Sequence, residues 1–297
     1  MKRSLLIQIA IVVVLAVAAF FVLRQPGETS TSGVSDRMLV TFDSSTVDKV
    51  DIRSGTGSVT LQREGVQWMM VSPLRYPANE AAIKEALEKA GHIRLENVAS
   101  SNPQKQSVYQ VDSTGTLVRL YEGGKETAAF IVGKMGSSYT ETFVRKEKSN
   151  DVYSASGTLG YVFSKPVKEW RNMEIFKADQ AALRNIRFQY GDTTFALSNA
   201  DSVWRVDRDS ASPSAVRSFL AALSNFQADD FVDSTVSSIP KLTASIDADG
   251  VQLRFFREKE GTKYFVQSSQ TTQLFEVLNW KVLQLLKKKK DFLAKPA

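Results

Sequence analysis

Apolar and polar side chains alternate over residues 51–53, 58–62 and 67–71, with Ser-Gly-Thr-Gly and Glu-Gly breaks between the runs. A period of two with turn residues at the breaks predicts three half-buried strands, with Val50, Ile52, Val59, Leu61, Trp68 and Val71 as their apolar members. The period then changes. Ile83, Leu87 and Ala90 recur at helical spacing while Lys84, Glu85, Glu88 and Lys89 fall on the opposite side, which predicts a helix covering one face of the sheet. Asn79 stands where its cap belongs. The same design returns further on. Ile186 and Phe188 occupy the places of Val50 and Ile52, Phe195 and Leu197 take the hairpin, and Trp204 follows Leu197 by seven residues as Trp68 follows Leu61. Val216, Leu220 and Leu223 supply the helix, capped by Ser212 with Pro213 at the first helical position. From Asn79/Ser212 to Ser101/Ser234 the copies align without a gap at an offset of 133. Only Ala82/Ala215, Leu87/Leu220 and Ser101/Ser234 are identical there, so pattern carries the duplication, and a repeat of this kind bears on the whole fold.

A second run of strands is predicted over residues 116–121, 127–132, 140–145 and 152–154, turning at Glu122-Gly123-Gly124-Lys125 and Ser149-Asn150-Asp151, with a short apolar helix over 159–163. In the later copy Leu253, Phe255 and Phe256 are matched to Val118, Leu120 and Tyr121, and Phe265 with Val266 to Phe130 and Ile131, at an offset of 135. Asp249-Gly250 reads as the hairpin turn ahead of them. On this alignment the second copy lacks one hairpin, and its strand at Leu274-Phe275 runs straight into a helix holding Leu278, Val282 and Leu285.

Residues 5–23 form an apolar run of nineteen in which Gln8 is the one strongly polar side chain. At helical rise this is about 28 Å, the thickness of a bilayer's hydrocarbon core. A cleavable signal would have a shorter apolar run and small residues before the cut, whereas Phe20, Phe21, Val22 and Leu23 precede Arg24. An uncleaved anchor is therefore the expectation, with Lys2 and Arg3 placing a stub of residues 1–4 in the cytoplasm and the rest outside, on the periplasmic side of an inner membrane. Residues 24–37 read as a flexible tether of about 20 Å reach. The expected fold is α+β: an N-terminal transmembrane helix, then two tandem related units over residues 38–176 and 177–286, each of antiparallel strands with a packed helix, and a basic tail over 287–297.

Composition adds limits. With 297 residues, 43% of them apolar and 24% charged, the chain can bury two cores and is not of the disordered class. It has no cysteine, so no disulfide framework enters the argument. The net charge of +6 resembles a nucleic-acid signal until it is located: residues 1–24 carry +3 and residues 281–297 carry +5, leaving −2 for the body between them. No basic phosphate-binding groove is expected from such a body.

The stretches Val-Arg-Leu-Tyr-Glu-Gly-Gly-Lys from Val118, Phe-Ile-Val-Gly-Lys from Phe130, Thr-Phe-Val-Arg from Thr142, Asp-Val-Tyr from Asp151 and the pair Trp170-Arg171 resemble the bacterial domain-of-unknown-function family forty-three-forty. The likeness is strongest over residues 47–176. It implies an N-terminal anchor, repeated α+β units and a Trp-Arg pair closing the first of them. Members are often encoded beside ABC transporter subunits and gliding-motility-type auxiliary proteins, which implies an accessory envelope role and a protein partner such as a transporter subunit. The family carries no established catalytic residues to transfer. At Val108-Tyr109-Gln110-Val111 this chain departs from the resemblance, which would place a glycine there.

Candidate chemistry is sparse. His92 is the sole histidine and sits near a helix end, where a surface role suits the dipole; with neither a second histidine nor a cysteine, a transition-metal site is not expected. Ser238-Ile-Pro-Lys241 has Ser-x-x-Lys spacing but encloses a proline and is not followed by the companion motifs. Gly124-Lys125 lacks the rest of a phosphate loop and reads as a turn, as does Asp247-Ala-Asp249-Gly250. Asp229, Asp230 and Asp233 could gather a hard cation, although acids at a helix-to-strand junction are ordinarily solvated. Trp68 and Trp204 recur at one place in each copy and are read as core residues. Trp170 and Arg171, at the junction of the copies, read as an inter-domain plug or a partner contact. Lys287, Lys288, Lys289 and Lys290 satisfy a helix end, yet four in a row also suit a membrane or protein partner. The sequence thus leads to a membrane-anchored binding or scaffold protein with no cofactor, metal or catalytic residue assigned. The alternative is an envelope enzyme or glycan-binding module that uses acids such as Asp229, Asp230 and Glu141 in a cleft expected between the two units.

Overall fold

A computed structural model describes residues 37–233, 239–257 and 261–294. The apolar run at 5–23, the tether up to residue 36 and Ser238 lie outside them. Among the described residues no helix is long and apolar enough to cross a membrane.

The chain begins with a meander, β1 (Lys49–Ser54), β2 (Gly57–Glu64), β3 (Gln67–Ser72) and β4 (Tyr76–Pro77), followed by helix α1 (Glu80–Gly91) and strand β5 (Leu95–Ser100). A second meander follows: β6 (Thr116–Glu122), β7 (Lys125–Met135), β8 (Glu141–Lys146) and β9 (Val152–Ser156), closed by α2 (Gly160–Phe163). Strand β10 (Glu174–Lys177) leads into a new meander of β11 (Asn185–Tyr190), β12 (Thr193–Ala200), β13 (Val203–Val206) and β14 (Asp209–Ser210), then helix α3 (Pro213–Leu223). After it come β15 (Asn225–Gln227), β16 (Asp230–Phe231), β17 (Leu242–Ala248), β18 (Val251–Phe256), β19 (Lys263–Ser268), β20 (Leu274–Leu278), α4 (Asn279–Leu285) and α5 (Lys289–Phe292). Two nine-stranded sheets result, with strand orders β4-β3-β2-β1-β6-β7-β8-β9-β5 and β14-β13-β12-β11-β17-β18-β19-β20-β16. The orders correspond strand for strand. A two-stranded ribbon of β10 and β15 completes the architecture. By packing, the described residues up to Arg63 join Lys84–Lys165 in one compact unit, and Glu64–Ile83 join those from Pro166 onward in the other.

Each sheet forms for the reason its pattern implies. Val50, Ile52, Val59 and Leu61 are buried, and so are Ile186, Phe188, Phe195 and Leu197, because successive side chains of a strand point to opposite faces. On β3 it is Met70, not Val71, that shares the buried face with Trp68, two positions apart as pleating demands. The helices take the caps expected of them: Asn79 Oδ1 accepts the Ala82 N–H at 3.2 Å, and Ser212 Oγ accepts that of Ala215 with Pro213 at the first helical position. Turns follow the same logic. Gly123 and Gly124 both have positive φ between the paired ends Glu122 and Lys125, as do Asp249 and Gly250 between Ala248 and Val251, the conformation of a two-residue hairpin turn.

The back half of the second copy differs from the sequence reading. Strand β17, over Leu242–Ala248, occupies the place of β6: Ile246 stands opposite Phe188 as Val118 stands opposite Ile52. Leu253 and Phe255 are therefore the counterparts of Phe130 and Val132 on the next strand, and the copy lacks no hairpin. The offset between copies falls along the chain, from Val50/Ile186 at 136 through Val118/Ile246 at 128 and Phe130/Leu253 at 123 to Val144/Val266 at 122. The connection from β5 to β6 is longer than that from β16 to β17, and β7 is longer than β18 although the turns before them are equal, so no constant offset could align the copies. Strand β17 was also faint in the sequence, since small residues, Ala244 and Ala248, fill its inward positions.

In the second sheet the core centres on Phe188, whose ring stacks on Phe195 at 4.5 Å and meets Phe219 and Phe292 at 5.3 and 5.6 Å. In the first, Phe130 meets Phe163 of α2 edge-on at 5.5 Å. Ile131, pointing the other way, joins Val111 and Val152 in a small separate cluster, so the connection over residues 101–115 covers the second face of this sheet.

Candidate functional site

Trp170 and Arg171 end a 3₁₀ turn over Val167–Trp170 and are both buried, at 0% and 2% exposure. Arg171 is the centre of a cluster of polar and aromatic side chains. Its Nη1 donates to Asp233 Oδ2 at 2.6 Å and its Nη2 to Gln273 Oε1 at 3.3 Å. The guanidinium carbon lies over two rings, 3.5 Å from the centre of Phe231 and 4.5 Å from that of Tyr76, which meet each other edge-on at 5.4 Å. Arginine suits this place because its planar, weakly hydrated cation can be stacked and hydrogen-bonded at once. Gln273 is itself fixed, donating Nε2 to the carbonyls of Val232 and Leu274. Burial lifts the Tyr76 phenol above its ordinary value, against the opposing pull of Arg171. Arg171 Nε is buried and has no acceptor among the described residues. The arrangement clamps β16 to the chain leaving the 3₁₀ turn; it presents neither residue to solvent.

The acids considered for a cation are each engaged by a different lysine or arginine. Asp229 accepts from Lys281 Nζ at 2.6 Å and from the Leu278 N–H at 2.9 Å. Asp230 pairs with Lys168 at 2.8 Å; burial pushes its carboxyl up, but the ammonium and the Phe231 N–H outweigh this and hold it below the ordinary value. Asp233 pairs with Arg171. Glu141, in the other unit, accepts from Ser138 Oγ. Among the described residues no three histidines or carboxylates gather as a metal site would require. His92 is exposed and its Nδ1 lies 2.7 Å from the Glu88 carbonyl. Asp249 receives the N–H groups of Arg184 and Asn185 and belongs to its turn.

Of the four lysines near the C-terminus, Lys289 is held by Asp207 and Asp209 at 2.8 and 3.2 Å. Lys288 and Lys290 are exposed and Lys287 is half-buried; the backbone N–H of Lys288 donates to Asp291, but the ammonium group of none of the three has a carboxylate partner among the described residues. Lys287 lines a groove of about 490 Å³ between α3 and the last two helices, together with Ser218, Phe219, Gln284 and Phe292.

The family-like motifs each meet a structural demand. Gly133 of Phe-Ile-Val-Gly-Lys is crossed by the connection from β5: a Cβ there would lie 2.3 Å from the Tyr109 carbonyl oxygen and 2.6 Å from Val111. Thr142 of Thr-Phe-Val-Arg donates to the Gly157 carbonyl at 2.6 Å and accepts the Leu159 N–H. Arg145 of the same motif is buried and donates to the carbonyls of Val111, Lys146, Glu147 and Ser149. The profile of the family described as Domain of unknown function (DUF4340) matches residues 68–245, more than half of the chain. The chain belongs to this family. The match begins at Trp68 on β3 and ends within β17, so the DUF4340 region spans parts of both copies and reaches well beyond the first. Comparison with curated proteins and with solved structures finds no match for this DUF4340 chain. The roles of Tyr76, Phe231 and Gln273 were not visible in the sequence, where Tyr76 and Phe231 are 155 positions apart; an arginine beside a tryptophan was the one available signal.

Proposed function

We propose that this DUF4340 protein is a membrane-anchored, extracytoplasmic binding or scaffold protein, an accessory component of an ABC-type transporter or related envelope complex. One observation carries the reading: a nineteen-residue apolar run and a short tether precede two sheets of identical strand order, a duplicated platform held beside a bilayer. The use of Asp229, Asp230, Asp233 and Arg145 in local pairs and carbonyl contacts favours binding over catalysis, since a catalytic acid or base must be free to reach a substrate. The body sits outside the cytoplasm on the charge asymmetry around residues 5–23. Extraction in mild detergent followed by affinity purification tests the role: a transporter subunit or other envelope protein is expected to co-purify in fixed proportion. A chain recovered alone, or one left untouched by protease added to spheroplasts, refutes it.

A further inference from the structure

Helix α4 has two apolar sides. Val282 and Leu285 are buried in the core, while Trp280 and Leu283, three positions apart on the outer side, are 58% and 47% exposed. Exposing an indole and a leucine on one side of a helix forfeits the stabilisation of burial, and among the described residues both stay about half exposed. Gln284 continues this stripe at helical spacing from Trp280 and lines the same groove as Lys287. The stripe therefore runs into the lysine run, where the ammonium groups of Lys287, Lys288 and Lys290 lack carboxylate partners among the described residues. Residues 281–294 carry five lysines against one aspartate. An amphipathic indole on the helix that leads into unpaired ammonium groups is the chemistry of a bilayer interface rich in anionic headgroups.

We propose that the outer stripe of α4 and the adjoining lysines form a lipid-docking surface that lays the second unit on an anionic bilayer. The proposal rests on the anchored reading above, because a tether of about 20 Å keeps the body near the membrane and lets a weak contact be occupied. Each lysine is expected to favour the docked form by roughly fivefold, and three by on the order of 100-fold.

The absence of cysteine permits a clean test. Full-length Gln284→Cys is labelled with an environment-sensitive fluorophore and placed in nanodiscs of phosphatidylcholine alone or of equal parts phosphatidylcholine and phosphatidylglycerol. The label is expected to shift to the blue in the anionic discs only, and to lose the shift as salt is raised. Lys287→Gln/Lys288→Gln/Lys290→Gln should lower the docked-to-free ratio on the order of 100-fold, and Trp280→Ser/Leu283→Ser should abolish the shift with an unchanged melting temperature, since both side chains are exposed. Equal emission in the two discs, or a triple-lysine variant that keeps its shift, overturns the proposal. A chain that fails to enter discs at all overturns the anchored reading instead, so the two failures are distinct.

Discussion

Replacing Arg171 tests whether the Trp-Arg pair works as a clamp. In Arg171→Ala the two ring contacts at 3.5 and 4.5 Å are lost, about 2 kcal/mol together for a cation buried between aromatic faces. Truncating the stem of a side chain only 2% exposed opens a cavity that adds about 2 kcal/mol. The ion pair adds little, under about 1 kcal/mol, because Asp233 is half exposed and recovers water when released. The expected cost is about 4 kcal/mol. Arg171→Met keeps most of the stem and removes a buried charge that needed solvation elsewhere, so about 1–2 kcal/mol is expected; Arg171→Lys, which cannot stack as a plane, should resemble it. Urea unfolding at constant m-value measures these differences, and hydrogen exchange localises them: the amides of β16 and of Gln273 should lose protection first. A cost below about 1 kcal/mol for Arg171→Ala refutes the clamp. Equal costs for Ala and Met would show that charge, not packing, carries it.

Three further outcomes follow from the geometry. Gly133→Ala should destabilise by about 2 kcal/mol or more, since the added methyl meets the Tyr109 carbonyl, a backbone atom with little freedom to yield; a neutral effect in thermal unfolding would mean the connection is not held where it is described. Arg145→Met strips the buried Val111 carbonyl and the part-buried Glu147 and Ser149 carbonyls of their donor and should cost about 2 kcal/mol, read as early exchange of the 106–111 segment; retained protection there would refute it. Tyr190 donates to the Lys287 carbonyl at 2.7 Å, and burial raises its phenol well above the ordinary value, with Asp291 adding to the shift. The folded state thus holds this proton more tightly than the unfolded one. Its contribution is complete below about pH 10 and is lost as the pH rises beyond. Tyr190→Phe should cost about 1 kcal/mol at neutral pH while flattening the alkaline loss; an unchanged alkaline slope would assign that loss to the other tyrosines.

The comparison of copies shows why some features were legible and others not. Pleating and helical periodicity are local, so Val50, Ile52, Ile83 and Leu87 and their partners Ile186, Phe188, Val216 and Leu220 declared themselves, with the caps at Asn79 and Ser212. The family motifs were also local. Their reasons were not: Gly133 is glycine because residues 109–111 pass over it, and Arg145 is arginine because four carbonyls converge on it.

From the sequence alone came the α+β class, the duplication, the front half of each copy and membership of the family, because each depends on spacing within a few residues or on short contiguous motifs. Only the tertiary structure decided that β17 completes the second sheet, that strands as well as one connection are shorter in the second copy, and that Trp170 and Arg171 lie inside while Trp280 and Leu283 lie outside. The physical reason is the same in each case: pairing register, burial and the direction of a side chain are set by strands and rings brought together from distant parts of the chain, and no periodicity in one dimension records which of them will meet.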